Sequence, residues 1–264
     1  MNIDKLRSLA KGLLINTFMY DFAKSLYIRL KIRGDKRMFK KKYPKATYIN
    51  YTIEELSAQQ RQGYYSQYGQ DFYLWSEYLS NLDNGSFIDI GANKPDVNSN
   101  SIFLEKQGWS GVAIDPLKQV QSEWLEKRET PFVCGAVSDV EGNQPFIEVL
   151  PKQGWEHALS GFKEHVREED LKIYDYREYD VATKPLNKHF PNIDRVNLIL
   201  IDVEGAEMQV LRGIDFSSFK PTFLMIENDN AIGGDELIRE YLKEFNYECI
   251  ARIAATDDLF IRTG

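Results

Sequence analysis

Apolar and polar positions along the chain fall into short runs of two kinds. Residues 87–90, 112–114, 132–137, 198–203 and 222–226 are brief apolar runs rich in β-branched and aromatic side chains, bounded by glycine, proline or acids. That length and composition predicts buried strands. Residues 96–107, 117–128 and 235–244 instead mix apolar and polar positions at helical spacing, the first with Pro95 before it and Gly108 after it, which suits a helix start and stop. Strand and helix in alternation predict βαβ crossovers, hence an α/β fold with a largely parallel sheet. Strands are also expected over 144–150 and 180–183, with short helices over 186–190 and from Gly205 to Gly213. Residues 247–253 and 258–262 read as a closing antiparallel pair. Helical pattern covers 52–82, and 152–178 shows no clean period, as a lid or substrate loop would.

The N-terminal pattern differs. Across 3–32 there is no proline, and Leu6, Leu14, Phe18, Phe22, Leu26 and Leu30 recur at multiples of four among lysines and arginines. This predicts a helix whose apolar stripe winds slowly, followed over 33–45 by an exposed connector carrying Lys40, Lys41 and Lys42. Two units are expected: a basic amphipathic extension over 1–45 and one domain over 46–264. Residues 1–45 hold thirteen Lys or Arg against three acids, leaving twenty against thirty-seven in the remainder. A basic helix of this kind fits an anionic membrane surface or a partner, and equally fits packing on the body. Nucleic acid is not an expected partner, because the acidic body repels phosphates. No apolar run reaches the roughly 18 residues of a spanning helix, and residues 1–20 lack a secretory pattern. Cys134 and Cys249 have no metal spacing with each other or with His157, His165 and His189, so reduced thiols are expected. The expected location is the cytoplasm, with peripheral contact to the inner face of the membrane as the option that the basic extension opens.

Candidate chemistry gathers at the expected strand ends, where open parallel sheets bind ligands. The first strand ends in Asp89 and Gly91, and the second in Asp115, placed to accept hydrogen bonds from ribose hydroxyls. A dinucleotide fingerprint needs several glycines to approach a pyrophosphate, whereas this turn has Gly91 alone, then Asn93, Lys94 and Pro95. S-adenosylmethionine, which carries no phosphate, asks less of the turn. The plainer alternative is a turn-forming glycine and a solvated acid in an ordinary α/β core. Gln70 and Asp71 stand before an aromatic run and are placed to form one wall of the same site. Asp202 and Glu204 alternate at the end of the 198–203 strand, with Glu207 near a helix start, and Glu227, Asn228 and Asp229 end the next strand. Candidate bases are His157 or His165 in the irregular segment, or the carboxylates Asp202, Glu204 and Glu227. These acids with Asn228 or Asp229 could instead hold Mg²⁺, though no spacing rule demands it.

The ordered set of motifs 66–71 (Ser-Gln-Tyr-Gly-Gln-Asp), 87–93 (Phe-Ile-Asp-Ile-Gly-Ala-Asn), Leu104-Glu105-Lys106 with Gly108-Trp109, 135–139 (Gly-Ala-Val-Ser-Asp), and 201–207 (Ile-Asp-Val-Glu-Gly-Ala-Glu) with Leu211-Arg212-Gly213 resembles the FkbM-type S-adenosylmethionine-dependent methyltransferases. The resemblance spans about residues 60–262. It implies a Rossmann-like methyltransferase fold: a mostly parallel seven-stranded sheet with helices on both faces and an antiparallel last strand. It also implies O-methylation of a hydroxyl on a sugar, glycan, polyketide or related small-molecule acceptor. By position it places Asp89, Gly91 and Asn93 under the methionine part, Asp115 on the ribose and Ser138 or Asp139 beside the adenine. Pro95 departs from the family's usual glycine and removes an amide donor. Two other classes remain open: a non-catalytic adenosyl-binding or membrane-adaptor protein, and a nucleotide-sugar oxidoreductase, which the missing glycines oppose.

Overall fold

The computed structural model describes residues 17–150, 156–191, 195–229 and 231–264, with side chains described from residue 28 and, after the first break, from residue 158. In chain order the elements are helix α1 (Thr17–Lys42), strand β1 (Thr47–Ile49), helix α2 (Ile53–Arg61), helix α3 (Gln70–Leu74) running into a π-helical turn (Trp75–Leu79), and strand β2 (Ser86–Ile90). Helix α4 (Ile102–Lys106), strand β3 (Ser110–Asp115), helix α5 (Gln121–Lys127) and strands β4 (Phe132–Cys134), β5 (Ala136–Val137) and β6 (Gly142–Val149) follow. The rest comprises β7 (Gly161–Phe162), α6 (Glu168–Leu171), β8 (Tyr176–Lys184), α7 (Leu186–His189), β9 (Leu198–Ile201), α8 (Glu207–Arg212), β10 (Phe223–Glu227), α9 (Glu236–Lys243), β11 (Tyr247–Ile253) and β12 (Asp257–Arg262).

Strand β9, Leu-Ile-Leu-Ile, is buried throughout and shows why the fold has three layers. Successive strand side chains point to opposite faces. Ile199 and Ile201 join one apolar cluster with Phe39, Leu186, Val210, Leu211, Ile238 and Leu242, so α1, α7, α8 and α9 cover that face. Leu198 and Leu200 join another with Tyr73, Leu74, Leu79 and Leu104, so α3 and α4 cover the other. The sheet order is β1-β11-β12-β10-β9-β2-β3-β4, with β12 antiparallel to both of its neighbours and the other pairs parallel. Local signals agree at some helix starts. Thr52 and Glu55 form a reciprocal capping box at α2, and the Asp235 side chain accepts from Leu237 N at α9, each satisfying amides the helix leaves open.

Several expectations are corrected. The main sheet has eight strands, not seven, because β1 pairs with β11 at one edge. Residues 132–137 are not one strand: the chain leaves the main sheet after Cys134 and enters a second, four-stranded sheet, β5-β8-β6-β7, at Ala136. Within it β8 is nine residues long because it pairs along the whole of β6. The helix expected over 96–107 is reduced to α4. The preceding chain is an irregular loop held by Trp124, whose Nε1 donates to Asn93 O at 2.7 Å, and by Arg128, whose Nη1 donates to Pro95 O at 2.7 Å. Residues 33–42 are no connector but the second half of α1. Leu6 and Leu14 of the proposed stripe lie outside the described residues, as do the side chains of Phe18, Phe22 and Leu26, while Leu30 is 56% exposed. No helix among the described residues is long and apolar enough to cross a membrane.

Candidate active site

The parallel strands β2, β3, β9 and β10 all end at one edge of the sheet, and the antiparallel β12 starts there. A cleft of about 250 Å³ opens along this edge. Its floor is the strand ends. One wall is the 67–70 segment, bridged to the 97–100 loop by Ser66 and Asn98, and the other is the second sheet, through Phe146, Ser160 and Phe162.

At the β2–β3 end, Gly91 has φ +82°, and a Cβ built on it would stand 1.7 Å from the carbonyl oxygen of Asp202. The close approach of two strand ends therefore requires glycine here, whatever binds above it. Asp115 is 5% exposed and held by two backbone amides, Asn93 N to Oδ2 and Leu117 N to Oδ1, each at 2.8 Å. A carboxylate oxygen has two acceptor sites, so both oxygens keep one for a ligand hydroxyl. Burial pushes its pKa up to about 6, against these two amides, with Asp89 adding to the rise. Asp89 is also buried and raised, by desolvation and against the Ser101 hydroxyl and the Arg128 guanidinium. Asn93, at φ 48°, leaves its Oδ1 buried without a partner beside them.

The other end of the cleft is a row of carboxyls. Asp202 follows β9, and Glu227 ends β10 directly opposite Asp257, the first residue of β12. Glu204 stands in the turn after β9 with a left-handed φ of 54°, a conformation that costs a non-glycine residue free energy and is commonest at functional turns. Desolvation first, then the neighbouring acids, pushes Asp202 up to about 7 and Glu204 up to about 9. The same causes hold Glu227 well above the ordinary carboxylate range. Asp202 raises Glu227, whereas a hydrogen bond with Glu227 lowers Asp202, so their titrations are linked. Asp257 is 3% exposed and pushed up to about 8 by burial and Asp202, although Gln70 Nε2 donates to its Oδ2 at 2.9 Å. No Lys, Arg or His is among the described residues lining the cleft.

The remaining candidates are placed as follows. Gln70 lines the cleft and also accepts from Tyr68 N at 2.8 Å. Asp71 is buried beneath it, accepting from the amides of Tyr65, Ser66 and Phe72. Ser138 is fully buried and Asp139 is exposed. They lie against Gly213, where an added Cβ would come within 2.6 Å of Ser138 O, and neither lines the cleft. Asn228 turns away from the row to Asp258 and the Asp235 carbonyl. His165 packs on Gly205, behind the Glu204 turn, and does not line the cleft; the His157 side chain lies outside the described residues. Among the described residues no group of His, Cys, Asp and Glu is arranged to hold a metal ion. Asp257, Thr256 and Tyr68 are cleft residues that the sequence pattern did not single out. The Asp257-Asp258 pair was the available signal for the first.

A model of the methyltransferase FkbM domain matches residues 89–249, a span running from the first cleft acid through both sheets to β11. The chain belongs to the FkbM methyltransferase family. Methyl transfer is therefore the chemistry to fit to this FkbM cleft. Over 25 residues the chain is 72% identical to Methyltransferase 1 of Beauveria bassiana (strain ARSEF 2860), a stretch covering 10% of each protein. No solved structure matches.

Proposed function

We propose that this FkbM protein transfers a methyl group from S-adenosylmethionine to a hydroxyl of a sugar, glycan or related neutral metabolite. The observation that carries this reading is the Asp115 carboxylate, fixed by two amides beside Gly91 and sharing one cleft with the carboxyls of Asp202, Glu204, Glu227 and Asp257. The residues fit the cofactor. Asp115 offers one free acceptor site per oxygen to the two ribose hydroxyls. Asn93 Oδ1, buried without a partner, is available to a ligand N–H, and Asp89 balances a cationic ligand. Pro95 donates no amide, and its carbonyl is taken by Arg128, so it buttresses the loop.

When bound, the cofactor supplies an electrophilic methyl on a sulfonium. The chain's own part is to position the acceptor and take its proton in a site shielded by the second sheet. Asp202, with a pKa about 7, is matched to a general base near neutral pH, where proton affinity and ionised fraction are both substantial. Burial, with Asp202 and the other neighbouring acids, holds Glu227 well above the ordinary carboxylate range beside it. Among the described residues the cleft is lined by acids and no cations, which repels phosphorylated or carboxylated acceptors and favours an uncharged polyol.

Methyl-labelled S-adenosylmethionine incubated with fractionated glycans and small metabolites tests the reading. Label is expected in a base-stable methyl ether. Asp202→Asn should lower turnover by about 10² or more while cofactor binding stays within about threefold. Label in an ester or amine, full activity of Asp202→Asn, or binding of a nicotinamide dinucleotide in place of the cofactor contradicts it.

A further inference from the structure

Helix α1 is welded to the body along one seam and presents an unused face to solvent. The seam is Ile32, Asp35 and Phe39, spaced i, i+3, i+7. Phe39 lies in the core, and Asp35, 1% exposed, accepts from Arg252 Nε at 2.8 Å, Arg252 Nη2 at 3.0 Å, Tyr48 OH at 2.9 Å and Gly233 N at 2.6 Å. On the opposite side Arg29, Arg33, Arg37 and Lys41 recur every four residues, all exposed and, among the described residues, none paired with an acid. At 100° per residue they form one row along the helix. Leu30 and Met38, 56% and 54% exposed, lie along one side of that row.

We propose that this face docks the protein on an anionic lipid bilayer. The partner is argued from charge and shape. Beyond residue 45 the chain carries thirty-seven acids against twenty bases, so a nucleic acid long enough to reach past the helix meets a repelling body, whereas a flat surface touches the cationic row alone. Exposed Leu30 and Met38 gain by entering the headgroup region, a gain that a phosphate backbone does not offer. The Asp35–Gly233 contact ties the helix to the loop that follows Glu227. This inference does not depend on what the cleft binds.

Sedimentation of the full chain with phosphatidylcholine vesicles, with and without about one third phosphatidylglycerol, is the test. Pelleting is expected with the anionic vesicles only, and is lost in 0.5 M salt, where the Debye length falls to about half its physiological value. Each basic residue at such a surface strengthens partitioning about fivefold. The quadruple variant Arg29→Glu, Arg33→Glu, Arg37→Glu, Lys41→Glu should therefore lose more than about a hundredfold, with its thermal midpoint unchanged because no altered side chain is buried. Leu30→Ser with Met38→Ser should weaken binding severalfold and keep the salt dependence. Equal pelleting with neutral vesicles, wild-type pelleting by the quadruple variant, or retention of an oligonucleotide in preference to the vesicles would overturn the proposal.

Discussion

At the scale of single residues, burial decides the chemistry of the acids. Asp202, Asp257 and Glu204 have pKa values raised to about 7, about 8 and about 9, against about 4 in the unfolded chain. The folded protein thus binds protons that the unfolded chain has released. The stability these groups contribute is fully present below about pH 4 and is lost as pH rises through 7 to 9. Asp35, Glu105 and Glu236 are lowered by their arginine and hydroxyl partners against desolvation, so their contribution is lost only as pH falls below about 4. The thermal midpoint of the cofactor-free protein is therefore expected to fall from pH 6 to pH 9, and Asp257→Asn to flatten that fall. A midpoint that rises over this range contradicts the assignment. Asp115 and Gly91 were legible in the sequence because an acid and a glycine closed two unmistakable apolar runs. Asp257 was not, because the closing antiparallel strand was expected to start at Asp258, and the register that sets Asp257 opposite Glu227 is fixed by long-range pairing that a local pattern does not encode. Gly91 was legible for a partly different reason from the real one: its missing Cβ makes room for Asp202 O.

At the scale of elements, strands buried on both faces could be read from their runs, and β2, β3, β9 and β10 lie where the pattern put them. The loop over 91–101 could not. Pro95 and Gly108 are sound helix signals, yet Asn93 and Asn98 take left-handed conformations, φ 48° and 54°, and tertiary contacts override the local preference. Arg128 is the main such contact. Its buried guanidinium donates to Pro95 O, Ser99 Oγ and Ser101 Oγ, and its Nε to Glu105 Oε2 at 2.8 Å. Removing one member of a buried charged pair costs about 3–5 kcal/mol. Arg128→Ala should lower the urea midpoint accordingly and weaken cofactor binding by tenfold or more, on the order of the loss of one charge-assisted hydrogen bond, because the Asn93 amide that orients Asp115 rides on this loop. Cofactor affinity unchanged in a folded Arg128→Ala protein would show that the loop holds its shape without it. The second sheet was missed for a similar reason. The chain changes sheets within one apolar run, between Cys134 and Ala136, and long-range pairing of β6 with β8 fixes where β8 begins.

For the whole molecule, the acidic body and basic helix are parts of one arrangement. The buried Asp35–Arg252–Asp258–Arg239 network, with Arg252 Nη1 to Asp258 Oδ1 at 2.9 Å and Arg239 Nε to Asp258 Oδ2 at 2.8 Å, joins α1, α9, β11 and β12. Composition announced the charge asymmetry, but not that the second half of the basic segment is bolted to the domain, since that needs Asp35 and Arg252, distant in sequence, to meet. The proposed function requires the cleft to hold S-adenosylmethionine through Asp115. Calorimetric titration of that cofactor into the wild-type protein and into Asp115→Ala tests this most directly. Saturable binding by the wild type, weakened at least about a hundredfold in the variant by loss of two hydrogen bonds to a carboxylate, is predicted; no heat of binding in the wild type, or equal affinity in the two proteins, would contradict it.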